Sequence, residues 1–365
     1  MNLFKKGRDF EQLIFCHNKG SGLKAIICIH DTTLGPALGG TRMFPYKKEK
    51  DAIVDVLRLA KGMTYKASVA GLNLGGGKAV IIGDPTKDKS EALFRAFGEY
   101  VNRLSGKYIT AEDVGTKTAD MAIVNKMTPW VTGLDGKSGN PSPFTALGVF
   151  CAMKAMLEEV FGTDSFTGKT ITVQGIAGGV GYHLAKLLAE AGAILIGTGG
   201  RDKEAALMVG RELGAKILDS GVKPDGTYDP RLDPIFDEEC DVFAPCAMGG
   251  IINDETLNRL RCKILCGSGN NQLWKPEHGD ALHRKGILYG PDYLVNAGGL
   301  INVSHEITSF YPNGYNKEEA TEHVKQIYGR MKLVIELSKR EGIPTYLAAD
   351  RLAEERIKAA KEAKI

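Results

Sequence analysis

Two lysines have the clearest capacity for chemistry: Lys66, in MetThrTyrLys at 63 to 66, and Lys78, in GlyLeuAsnLeuGlyGlyGlyLysAlaValIleIleGlyAspPro at 71 to 85. The three glycines before Lys78 let backbone pass close to a ligand, and the β-branched run after it reads as a buried strand that fixes where the lysine starts. A lysine desolvated in a cleft beside a second cation such as Lys66 has its charged form disfavoured, so its pKa falls toward the range of a general base. The plainer alternative makes Gly75 to Gly77 a turn and leaves both lysines solvated. A phosphate-binding P-loop is excluded, because Ala79 follows Lys78 where Ser or Thr is required, and a strand follows where a helix is required. Asp113, in ThrAlaGluAspValGly after the strand-like LysTyrIleThr, reads by itself as an exposed loop carboxylate.

A second constellation follows the apolar run Ile171 to Gln174: Gly175, Gly178, Gly179, Val180 and Gly181, then Leu184, Leu187 and Leu188 at helical spacing. Strand, glycine turn and helix is the geometry that sets a pyrophosphate on a helix N-terminus. The spacing G-x-x-G-x-x-G is one residue longer than the usual dinucleotide fingerprint. The acid expected after the second strand, to hold the ribose hydroxyls, is replaced by ThrGlyGlyArg at 198 to 201. Asp202 would serve if the loop is shifted, favouring NAD; otherwise Arg201 would meet a 2′-phosphate, favouring NADP. The histidines show no HxxxH or HExxH spacing and no Cys/His cluster has zinc geometry, so no catalytic metal is expected.

The elements that must position these residues fall into two groups, as a chain of 365 residues suggests. Lys24 to His30 reads as a strand, and Ile53, Val56, Leu57 and Ala60 as a helix face. From Thr170 to Gly290, short apolar runs recur at Ile171 to Gln174, Ala193 to Gly197, Ala215 to Leu218, Asp241 to Ala244, Lys263 to Cys266 and Gly286 to Tyr289. A helix in each gap makes this a complete doubly wound parallel sheet. After Asn316 a long amphipathic helix is expected through Val324, Ile327, Met331, Val334 and Ile335, then a charged helix from about Leu347. The stretches 219–234 and 309–315 read as inserted loops.

Composition removes several function classes. Lys+Arg 47 against Asp+Glu 44, spread along the chain with no basic run among aromatics, makes nucleic acid an unlikely partner. No apolar stretch reaches the ~20 residues a membrane-crossing helix needs. Seven cysteines without a CxxC pair and an N-terminus without an apolar run point to reduced thiols in a cytoplasmic protein.

LeuGlyProAlaLeuGlyGlyThrArg (34 to 42), MetThrTyrLys, GlyLeuAsnLeuGlyGlyGlyLys, IleThrAlaGluAspValGly (109 to 115), SerGlyAsnProSerPro (138 to 143), AlaProCysAla (244 to 247), GlyAsnAsnGlnLeu (269 to 273) and ProAspTyrLeuValAsnAlaGlyGlyLeuIleAsnVal (291 to 303) together resemble the glutamate/leucine/phenylalanine/valine dehydrogenase family, in register over nearly the whole chain. The likeness is nearest to its leucine dehydrogenase branch. It implies an α/β architecture: an N-terminal domain with a mixed sheet, residues 1–140, that binds substrate and makes homo-oligomer contacts, rejoined by C-terminal helices from about 335 to 365. Across a cleft lies a Rossmann-like domain, 141–334. The implied reaction converts an L-amino acid to its 2-oxo acid and ammonium with NAD, or alternatively NADP. Lys66 is expected to bind the substrate carboxylate, Lys78 to be the general base and Asp113 to shuttle protons at the amino group. Gly39 and Gly40 are expected to let backbone approach the substrate, and Leu38 and Val295 to line the side-chain pocket. Asn270 is expected to contact substrate and cofactor, and Thr145 and Ala247 the cofactor. Gly199 stands where the branch usually carries an acid. A branched aliphatic substrate is the first expectation. An aromatic amino acid is the alternative, and a catalytically silent nucleotide-binding relative is disfavoured by the joint presence of Lys66, Lys78 and Asp113.

Overall fold

The computed structural model describes residues 9–200 and 202–363. The chain forms two compact units, one comprising the residues up to Asn140, Val303–Lys317 and those from Leu352 onward, the other Pro141–Asn302 and Glu318–Arg351.

In the first unit the strands are β1 (Gln12–Asn18), β2 (Leu23–Asp31), β3 (Ala37–Leu38), β4 (Thr41–Phe44), β5 (Gly75–Ile82) and β6 (Tyr108–Ile109). They form one mixed sheet in the order β1-β2-β5-β3-β6, with β4 also on β5. β1, β2 and β5 run antiparallel in turn, whereas β3 and β4 are parallel to β5. Alternate side chains point to opposite faces of a strand, and here both faces are covered. Ile26, Cys28 and Val80 pack on Ala52, Val56 and Ala60 of the helix Glu49–Val69. Ala25, Ile27, Ile29, Ala79 and Ile81 pack on Leu93, Phe94 and Phe97 of the helix Glu91–Asn102. Lys78 stands opposite Cys28 and shares Val80's parity, so it rises toward the long first helix.

The later segments lock this unit. Glu306 Oε1 accepts from the backbone N–H of Gly133 (3.0 Å), Leu134 (3.3 Å) and Ser138 (3.1 Å). Arg356 Nη1 donates to the Leu72 carbonyl (2.6 Å) and Nη2 to Asn73 Oδ1 (2.7 Å), beside the root of β5.

The second unit holds β7 (Thr170–Gln174), β8 (Ile194–Thr198), β9 (Lys216–Leu218), β10 (Val242–Pro245), β11 (Ile264–Leu265) and β12 (Leu288–Tyr289), all parallel, in the order β12-β11-β10-β7-β8-β9. Each lies within or beside one of the six expected runs. The order reverses at β7/β10, the switch point beside which a dinucleotide binds in such sheets.

Three expectations need correction. Not every connection is helical: between β9 and β10 the Pro- and Asp-rich chain makes only the 3₁₀ turns Pro230–Leu232 and Pro234–Phe236, capped by Asp229 and Asp233. The helix after Asn316 is two helices, Lys317–Lys325 and Ile327–Glu341. The return to the first unit is not at about 335; it occurs at Val303–Lys317 and again from Leu352. Ile327–Glu341 stays with the second unit because its Met331, Val334 and Ile335 are buried while Lys332 and Lys339 pair with Glu158 (3.1 Å) and Glu159 (2.8 Å) on the helix Ser142–Phe161. No helix among the described residues is long and apolar enough to cross a membrane.

Candidate active site

Lys78 is set in β5 with its side chain only 6% exposed, and its Nζ lies 3.1 Å from Asp113 Oδ1. An unpaired ammonium buried to this degree would cost several kcal/mol, so the carboxylate is what makes the position tenable. Asp113 is held by its loop: its N–H donates to Thr116 Oγ1 (2.9 Å), and that hydroxyl donates to the Thr41 carbonyl at the start of β4 (2.8 Å). The second carboxylate oxygen, Oδ2, accepts from Arg42 Nε (3.0 Å), and Arg42 Nη1 reaches Asp55 Oδ2 (3.0 Å) on the first helix. Asp55 also accepts from Tyr46 Oη (2.6 Å) and Arg58 Nη2 (3.1 Å).

Burial pushes the Lys78 ammonium below its ordinary pKa, and Arg42 adds to that, against the opposing pull of Asp113. Burial alone would raise the Asp113 carboxyl, but Lys78 and Arg42 together hold it below the usual carboxylate range. The pair is therefore poised as an easily deprotonated amine beside a persistent carboxylate. The cation that acts on Lys78 from β4 was missed by the sequence reading. Its signal was there: Arg42 is the only charge in the run 34 to 42.

The glycines serve the protein's own packing. Gly75 to Gly77 belong to β5 itself, not to a turn before it. A Cβ on Gly76 would lie 2.1 Å from the Thr64 backbone nitrogen, so only glycine lets the first helix settle on the strand. A Cβ on Gly39 would lie 1.8 Å from the Gly77 carbonyl oxygen, and one on Gly40 2.3 Å from that of Glu112. Gly39 and Gly40 were expected to admit substrate; the close approaches here bring the strands of Lys78 and the loop of Asp113 together. Lys66 is half-buried in the last turn of the first helix, and Leu38 is buried in β3.

In the second unit the glycine loop has the form a pyrophosphate needs. Gly175 follows β7 at φ +78°, and a Cβ on Gly181 would strike the Gly175 carbonyl oxygen at 2.1 Å. Gly178, Gly179, Val180 and Gly181 open the helix Gly179–Glu190, whose N-terminus has no side-chain cap. Ala247 closes on this turn, its Cβ 2.8 Å from where a Gly175 Cβ would stand. At Gly199 a side chain would meet the Ala206 Cβ at 2.3 Å, which explains why no acid stands there. Asp202 caps the helix Lys203–Leu213 through Oδ1 on the Ala205 N–H (2.9 Å). Arg201 lies outside the described residues.

Thr145 Oγ1 donates to the Pro141 carbonyl (3.0 Å) in the first turn of Ser142–Phe161. Asn270 is exposed, with Oδ1 accepting from Asn296 Nδ2 (2.8 Å); Asn296 also donates to the Ser268 carbonyl (3.1 Å). Asn296, in the run 291 to 303, was given no role from sequence, yet it sets which way Asn270 points. Val295 is fully buried in its own unit, its Cγ1 3.0 Å from a Cβ at Gly290.

Residues 11–130 match the model of the Glu/Leu/Phe/Val dehydrogenase dimerisation domain, and residues 138–364 that of the Glutamate/Leucine/Phenylalanine/Valine dehydrogenases. The chain is 54% identical to leucine dehydrogenase of Geobacillus stearothermophilus over 100% of its own length and 95% of the relative's. It is 46% identical to phenylalanine dehydrogenase of Lysinibacillus sphaericus, over 98% and 91%. L-tryptophan dehydrogenase from Nostoc punctiforme superposes with a TM-score of 0.82 at 41% identity, covering 97% of both chains. With a buried lysine–carboxylate pair on one sheet, a glycine turn at the switch point of the other and full-length identity of this order, the chain belongs to the glutamate/leucine/phenylalanine/valine dehydrogenase family.

Proposed function

We propose that this protein catalyses the NAD-dependent oxidative deamination of an L-amino acid with a branched aliphatic side chain, giving the 2-oxo acid and ammonium. The observation that carries the chemistry is the buried Lys78–Asp113 pair. The side-chain preference is supported by the higher identity to leucine than to phenylalanine dehydrogenase.

The residues fit the roles as follows. Lys66 offers an ammonium to the substrate carboxylate. What the dinucleotide supplies when bound is an acceptor for the hydride leaving the substrate Cα, and the turn at Gly175 to Gly181 with its uncapped helix start suits a pyrophosphate. Lys78, as the free amine, takes a proton from the water that adds to the resulting imine carbon. As the ammonium it then faces the new oxygen, where charge develops. Asp113, a carboxylate at rest, takes a proton from the substrate ammonium before the hydride leaves and returns it to the departing amino group. Leu38 and Val295 are assigned to the apolar side-chain pocket, in which a glutamate carboxylate would lose hydration without a counter-ion. The first unit is assigned the contacts of a homo-oligomer, in keeping with its match to a dimerisation domain.

Steady-state kinetics with leucine, isoleucine, valine, phenylalanine, tryptophan and glutamate, each with NAD and NADP, test this. Leucine and its branched neighbours should give the highest kcat/KM, with NAD. A higher kcat/KM for phenylalanine would overturn the substrate assignment, and no amino-acid-dependent reduction of either cofactor would overturn the reaction.

A further inference from the structure

We propose that Arg42 is a positioning residue for this chemistry, a resident counter-ion that keeps Asp113 charged and oriented while Lys78 is without its proton. The inference rests on the deamination reading above. Its starting point is a problem that the reading creates. Lys78 must be an amine for part of each cycle, and in that state the ion pair that stabilises Asp113 disappears. A carboxylate this enclosed, 22% exposed at the side chain, would then draw a proton itself, and the pair would end as neutral amine beside neutral acid.

Arg42 removes the difficulty because it cannot lose its own proton. Its Nε holds Asp113 Oδ2 at 3.0 Å, the oxygen that Lys78 does not use, so Oδ1 alone is left to exchange a proton. Arg42 is itself fixed: Nη1 lies 3.0 Å from Asp55 Oδ2, and Asp55 is gripped by Tyr46 Oη (2.6 Å) and Arg58 Nη2 (3.1 Å). The charged and titratable groups around the site are thus Lys78 from β5, Cys28 beside it on β2, Arg42 from β4, Asp55 and Arg58 from the first helix, Tyr46 after β4, Tyr108 from β6, and Asp113. Within this set Arg42 lowers the proton affinity of Lys78 and Asp55 raises it.

The test is the pH profile of kcat/KM for L-leucine in the unaltered enzyme and in Arg42→Gln, Arg42→Lys and Asp55→Asn. Deamination needs Lys78 unprotonated, so its acid limb follows the Lys78 ionisation. Losing the positive charge at 42 should move that limb to higher pH, by about one unit or more. Asp55→Asn should move it to lower pH, and Arg42→Lys should restore it close to its original place. A merely structural Arg42 would lower kcat/KM by one factor at every pH and leave all limbs where they were; that result, with circular dichroism showing intact folds, overturns the proposal. Should Arg42→Gln not fold, Asp55→Asn decides: a limb displaced to lower pH supports the network and an unmoved limb refutes it. Absence of turnover in the unaltered enzyme overturns the reaction reading and Arg42's role with it, whereas normal turnover with unmoved limbs overturns only the latter.

Discussion

Gly40→Ala isolates the packing that brings Asp113 to Lys78. The added Cβ would stand 2.3 Å from the Glu112 carbonyl oxygen and 3.0 Å from the Asp113 Cβ. Ordinary carbon–oxygen contacts begin at about 3.3 Å, so the loop must retreat by roughly 1 Å. Because Gly40 is buried and Thr41 hydrogen-bonds the Ala111 carbonyl at 2.8 Å, strand and loop are already in contact and the methyl has nowhere else to go. A retreat of that size carries Asp113 Oδ1 from 3.1 Å out of direct contact with the lysine. Misplacement of about 1 Å costs on the order of 10²-fold in rate, and overpacking costs about 1–3 kcal/mol of stability. The assays are kcat/KM for leucine and unfolding in guanidinium chloride. The control is Gly62→Ala, on the helix that covers β5, where a Cβ meets nothing within 4 Å; it should keep full activity and gain about 0.5–1 kcal/mol. A Gly40→Ala enzyme with unchanged kcat/KM would refute the reasoning, because the loop would then have moved without consequence for the pair.

Other outcomes follow from the same geometry. Lys78→Ala should abolish nearly all turnover while NAD still binds, as measured by fluorescence titration of the cofactor. Lys66→Ala should raise KM for the amino acid far more than that for NAD, and an unchanged amino-acid KM would remove its carboxylate-binding role. Asp202→Ala should lose about 1 kcal/mol of stability with the helix cap, whereas Asp202→Ser keeps the cap and removes only the charge. If Asp202 also selects NAD, both variants should lose NAD preference over NADP to the same extent; an unaltered ratio in the serine variant would leave the residue as a cap alone.

What was legible in the sequence was what local pattern controls. The strands of the second sheet showed because parallel strands covered on both faces are nearly continuous apolar runs, most of them ended by a glycine or charge. β6 lies within the strand-like LysTyrIleThr, but β3, two residues long, has no pattern to show, and yet it pairs into the sheet that carries Lys78. The break at Gln326 was hidden because Val324, Ile327 and Met331 keep a helical spacing on either side of it. Lys78 and Asp113 were visible as residues in motifs, but their pairing was not. Arg42 and Asp113 are 71 positions apart, and it is the pairing of β6 with β3 and the parallel bridge from Thr41 to Glu112 that make them neighbours. Likewise close approach is legible in a glycine run, while the protein groups that approach Gly39, Gly40 and Gly76, from Gly77, Glu112 and Thr64, are not.

The grip of Arg356 on the carbonyl of Leu72 has a consequence for the order in which this protein is made. The strand bearing Lys78 leaves the ribosome early, but the guanidinium that closes its root belongs to chain synthesised after the whole of the second unit. With 284 residues between Leu72 and Arg356 and synthesis at ~5–20 residues per second, that interval is roughly 15 to 55 s. During it β5 and the first helix must persist without their last partner, while the second unit, interrupted only at Val303–Lys317, can complete its own sheet. The unit bearing Lys78 and Asp113 is thus begun before the second and finished after it, and in a nascent chain stalled before Leu352 the second sheet would be complete while the first still lacked the hydrogen bonds of Arg356 at the root of β5.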